Sequence, residues 1–95
     1  MKTIWKFPLP GFNGYVMVPF GAEILTVQMQ ERVPCIWALV NPNAKKVPQE
    51  FRIFDTGHDV DVPRNWRYLG TVQNGGLVWH VFINPITVLE SGGAA

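Results

Sequence analysis

Trp66-Arg67-Tyr68-Leu69-Gly70-Thr71-Val72-Gln73 and Leu77-Val78-Trp79-His80-Val81-Phe82-Ile83, joined by Asn74-Gly75-Gly76, decide the fold. Both runs are rich in aromatic and β-branched residues. The link between them offers glycines that reach positive φ without steric cost, which marks a β-hairpin. Working outward, eight prolines and nine glycines cut the chain into brief segments. None keeps apolar residues at helical spacing, and several alternate with period two.

Trp5 and Phe7 share one parity in a first strand ending near Pro8, and Tyr15 to Val18 form a second. Ala22 to Gln30 place Leu25, Val27 and Met29 on one face and Thr26, Gln28 and Gln30 on the other. After the hairpin-length link Glu31-Arg32-Val33-Pro34, the run Cys35 to Val40 is almost continuously apolar and predicts burial on both faces. Asn41 to Pro48 reads as a polar loop and Phe51 to Asp55 as the next strand. The expected fold is all-β, a single domain over 1–90 of about seven short strands, as a small sandwich or partly open barrel. The tail Ser91-Gly92-Gly93-Ala94-Ala95 has nothing to bury and is expected to be disordered.

Composition narrows the function classes. Charged residues are only 16% of the 95 and the net charge is +1, so no broad basic face for duplex nucleic acid is expected. The aromatic share of 13% is high and includes Trp5, Trp37, Trp66 and Trp79. A chain this small cannot easily cover so much apolar surface alone, which points to a homo-oligomer. Trp5, Trp37 and Trp79 read more readily as core or interface than as ligand contacts, and their indole N–H groups need partners if buried. The lone Cys35 precludes an internal disulfide and sits among apolar residues as a buried, inert thiol. Lys2 and Lys6 precede alternating residues instead of a long apolar run, so neither a signal peptide nor a membrane span is expected.

Chemistry concentrates after the fifth expected strand. Asp55-Thr56-Gly57 looks like the active-site triplet of aspartic proteases, in which two carboxylates share a proton and activate water. His58 stands where that family has Ala or Ser, and too little chain follows for its flap and second half, so no catalytic residue is assigned. Asp55, His58, Asp59 and Asp61 could ligate a metal, with His80 as a second imidazole. Aspartates in turns more often accept backbone N–H bonds, and neither a metal nor another cofactor is expected. There remain Arg52, Thr56, Gly57, His58, Arg64, Trp66 and Arg67. Guanidinium forks suit phosphate, a Thr-Gly turn can present a hydroxyl and amides to an anion, and Trp66 or Trp5 can stack on a base. Two readings of this corner stand: an anion-binding site, or a plain turn with ordinary surface pairing of the arginines.

Several stretches carry a wider resemblance: Lys2-Thr3-Ile4-Trp5-Lys6-Phe7, Gly21-Ala22-Glu23-Ile24-Leu25, Val33-Pro34-Cys35-Ile36-Trp37-Ala38-Leu39-Val40, Phe51-Arg52-Ile53-Phe54, Thr56-Gly57-His58 and Gly76-Leu77-Val78-Trp79-His80-Val81-Phe82. On these the chain resembles small phage-encoded proteins of unassigned function, and within that group it resembles the phage anti-CBASS sponges, which sequester cyclic nucleotide immune signals. That resemblance implies an oligomer with ligand pockets and no catalysis. The expected place, read from the lack of a signal peptide or span, is the cytoplasm, for a phage protein that of the host cell. The alternative expectation is an adaptor or inhibitor that binds a host protein through an aromatic surface.

Overall fold

The computed structural model describes residues 1–85, and they form seven strands in two antiparallel sheets. These are β1 (Thr3–Pro8), β2 (Asn13–Pro19), β3 (Glu23–Gln30), β4 (Val33–Val40), β5 (Lys46–Asp55), β6 (Arg67–Asn74) and β7 (Leu77–Ile83). One sheet has the order β1-β4-β3 and the other β2-β5-β7-β6. The sheets pack face to face as a sandwich and do not close into a barrel. Among the described residues no helix is long and apolar enough to cross a membrane. The tail expected at 91–95 lies outside the described residues, as does the end of the span 1–90.

Period-two alternation builds the core. Ile24, Val27, Ile36, Ala38 and Val40 from the three-stranded sheet meet Phe51, Ile53, Val72, Trp79, Val81 and Ile83 from the other. Phe51, Ile36, Val40 and Val81 lose all contact with solvent, each contributing about 1.5–3 kcal/mol of burial. On β4 the outward Trp37 and Leu39 are half-buried while Cys35 is buried, so the expectation of a strand covered on both faces is met in part. Burial pushes the Cys35 thiol above its ordinary range, with Lys6 opposing the shift.

Two local features depart from the alternation. A bulge between Ile24 and Thr26 removes Leu25 from the ladder, so Ile24 and Val27 both face the core and Leu25 is exposed, contrary to the parity read from sequence. The fifth strand begins at Lys46, not Phe51, because Lys46 to Arg52 pair along β2. Pro48 is tolerated there because β7 joins β5 only from Phe51 onward, leaving one side of Pro48 without a neighbouring strand.

The two sheets are tied at the β3–β6 seam. The Arg67 guanidinium donates to the Ile24 carbonyl at 3.1 Å. Gly70 lies so close to β3 that a Cβ there would meet Val27 Cγ1 at 3.0 Å. A second bulge, between Tyr68 and Gly70, faces this seam.

Candidate functional site

Strand register assembles side chains on the outer face of the four-stranded sheet that the sequence shows only as scattered residues. Alternation turns Arg52 and Phe54 of β5, and His80 and Phe82 of β7, away from the core. Pairing then sets Asn13, Arg52, Phe82 and Tyr68 in one row across the sheet, and Phe54, His80 and Thr71 in the next. Phe82 touches both neighbouring rings, with centroids 5.9 Å from Phe54 and 5.4 Å from Tyr68. This is a short aromatic ladder on a partly solvated surface.

His80 anchors the polar half of this face. Its Nε2 lies 2.7 Å from Thr56 Oγ1 and its Nδ1 lies 2.9 Å from Thr71 Oγ1, and Thr71 also hydrogen-bonds the Tyr68 hydroxyl. A neutral imidazole donates from one nitrogen and accepts at the other, so the two threonines take opposite roles. Thr56 also donates its backbone N–H to the Val78 carbonyl at 3.2 Å. It is thus engaged within the protein.

The turn after β5 closes with the His58 N–H on the Asp55 carbonyl, and Gly57 supplies the positive φ of 90° that it requires. The His58 ring stands 3.9 Å from the Asp55 carboxylate, with both side chains well exposed, so this contact adds little stability. The chain then folds back over the sheet. Arg52 donates to the Asp61 carbonyl, and its guanidinium carbon sits 4.9 Å from the Trp66 ring centroid. At an exposed site such stacking contributes about 0.5–1 kcal/mol and, with the carbonyl, fixes the guanidinium plane. Beside it opens a cleft of about 490 Å³, lined in part by Asn13, Tyr15, Glu50, Arg52, Phe54 and Asp61.

Of the eight residues singled out in the sequence, Arg52 and Trp66 are brought into contact. Thr56, Gly57 and His58 form the adjoining turn, and Arg64 is exposed in the loop before Trp66. Two lie elsewhere. Trp5 is on β1 of the opposite sheet, packed on the core 6.4 Å from Phe7, and Arg67 serves the β3–β6 seam. Sequence reasoning missed Tyr68, Phe82, Phe54 and His80 as one surface. Their outward parity was legible, but the register that aligns them was not. Among the described residues no group of three or more His, Cys, Asp or Glu side chains is placed to hold a metal ion.

The arrangement offers three kinds of contact group. Arg52 offers a charge for an anion, the carboxylates of Glu50 and Asp61 accept N–H groups, and Tyr15 and Phe54 offer ring surfaces. Among known proteins, no curated sequence and no solved structure matches the chain. A family model described as "Domain of unknown function (DUF7352)" matches residues 1–88, and the chain belongs to that family.

Proposed function

We propose that this protein binds a small phosphorylated ligand, a cyclic nucleotide, on the outer face of its four-stranded sheet and sequesters it without cleaving it. The observation that carries this reading is Arg52, held between the Trp66 ring and the Asp61 carbonyl at the rim of the cleft. A guanidinium fixed in this way is pre-oriented for phosphate. Tyr15 and Phe54 give a base something to stack on, at about 1–3 kcal/mol per base. Glu50 and Asp61 would repel a bare polyphosphate but accept the amino and imino N–H groups of a base edge, which favours a nucleotide over a simple anion. The resemblance to the phage sponges supports the same ligand class, a homo-oligomer, and action in the cytoplasm of a host cell.

Calorimetric titration with a panel of cyclic mono-, di- and oligonucleotides tests the proposal. Saturable heat is expected with at least one member, which is recovered chemically intact after heat denaturation of the complex. Arg52→Gln is expected to weaken that binding by about tenfold or more, the loss of one charge-assisted contact. Absence of heat with every member, at protein concentrations well above micromolar, refutes it.

A second reading has its own observation. Tyr15, Met17 and Tyr68 are each about half exposed on the same sheet. A protein partner could cover these side chains, since aromatic anchors dominate binding energy at interfaces. A pull-down from host lysate that returns one stoichiometric protein, with no nucleotide heat, would favour this adaptor reading.

A further inference from the structure

We infer a second ligand site at one end of the sandwich core: a cavity that takes a small carboxylate with an apolar body. The cavity measures about 220 Å³. Leu9, Ile53 and Trp79, all buried, are among its walls, together with Phe12, Pro34 and Arg32. It lies on the inward side of the sheet, so it is separate from the cleft beside Arg52.

Three features point to a ligand, two of them at Arg32. Among the described residues Trp79 Nε1 is buried without a hydrogen-bond partner, an unmet demand in the cavity wall. Arg32, at the mouth, makes no ion pair among the described residues, so the cavity joins an apolar body to a free positive charge. The third feature is the backbone that presents Arg32. Gln30 pairs with Val33, so Glu31-Arg32 is a two-residue hairpin link, and both residues have positive φ, 51° and 69°. Asn-Gly fills such a turn with little strain, whereas Glu and Arg do not. This strained turn sets Arg32 into the lining of the cavity.

The walls are also set before any ligand arrives. The Leu9 N–H donates to the Pro34 carbonyl at 2.9 Å, and the Ile53 N–H to the Phe12 carbonyl at 2.7 Å, fixing both ends of the loop between β1 and β2. Phe12 packs edge-on against Trp79 at 5.2 Å and is half exposed. An aromatic or branched monocarboxylate satisfies all of this at once. Its hydrocarbon fills the cavity against the Trp79 wall, and its charge meets Arg32.

The test is an NMR titration of the whole protein, following indole N–H resonances, with benzoate and phenylacetate against benzamide and phenylacetamide. The Trp79 signal is identified by its loss in Trp79→Phe or, should that variant not fold, by its Overhauser contacts to Phe12. A saturable shift of the Trp79 signal is expected with the acids, with the neutral amides about tenfold weaker or worse. Glu31→Asn combined with Arg32→Gly should stabilise the fold yet weaken acid binding by about tenfold or more. No saturable shift at millimolar acid overturns the inference, and so does a shift unchanged by removal of Arg32.

Discussion

The two faces of the four-stranded sheet are built from alternate residues of the same strands and have opposite demands placed on them. Inward, Phe51, Ile53, Val81 and Ile83 are all buried, with Phe51 and Val81 wholly so. Outward, Arg52, Phe54, His80 and Phe82 keep partial access to solvent and interact with one another or with the loop that folds back. A surface face needs only polar, β-compatible residues such as threonine. A ladder of rings beside a stacked arginine is more than folding requires. The inner face therefore carries most of the stability, and the outer face is where the proposed ligand would bind.

The sharpest way to break this contrast is truncation on each face. Phe51→Ala is expected to cost about 3–5 kcal/mol, enough to unfold much of so small a domain. Phe82→Ala, from the adjoining strand, should cost only about 1–2 kcal/mol for its two ring contacts. Urea denaturation monitored by tryptophan fluorescence measures both, and equal costs would erase the distinction. Next in size is the seam that holds the faces apart. Gly70→Ala pushes a methyl against Val27, a buried side chain with little room to yield, and should cost about 1–3 kcal/mol in the same assay.

The smallest effect concerns the other sheet, whose outward residue Cys35 is buried instead of available. Burial raises the folded thiol's pKa, so the unfolded chain ionises first as pH rises. Stability is then fully present below the unfolded thiol's pKa and falls as pH climbs through the alkaline range toward the folded value. Comparing urea midpoints from neutral to alkaline pH, the wild type should lose more than Cys35→Ala. The thiol should also react slowly with disulfide reagents at neutral pH.

Much of the fold was legible in the sequence because glycine, proline and period-two alternation report local geometry directly. The hairpin at Asn74-Gly75-Gly76 is present, with Gly75 at a positive φ of 61°. What escaped were features set by neighbours distant in sequence. Lys46 to Glu50 has one aliphatic residue, Val47, and Pro48 in its middle, so it does not announce a strand, yet β2 pairs with it and Gln49 is buried. Gln49 is held by its donation to the Asn84 carbonyl at 2.7 Å. The bulge at Leu25 has no signature in residue type. The candidate site divides in the same way. Arg52 and Trp66 were legible as chemistry, but their contact depends on how the loop returns, and Trp5 and Arg67 had the right chemistry in the wrong place.

An amide and indole NMR titration with a cyclic nucleotide that gives heat in calorimetry tests the division of faces most directly. Saturable shifts are expected at Asn13, Tyr15, Arg52, Phe54 and the Trp66 indole, while Phe51 and Val81 stay unmoved. Shifts confined to the inward residues, or none at all around Arg52, would contradict the assignment of recognition to the outer face.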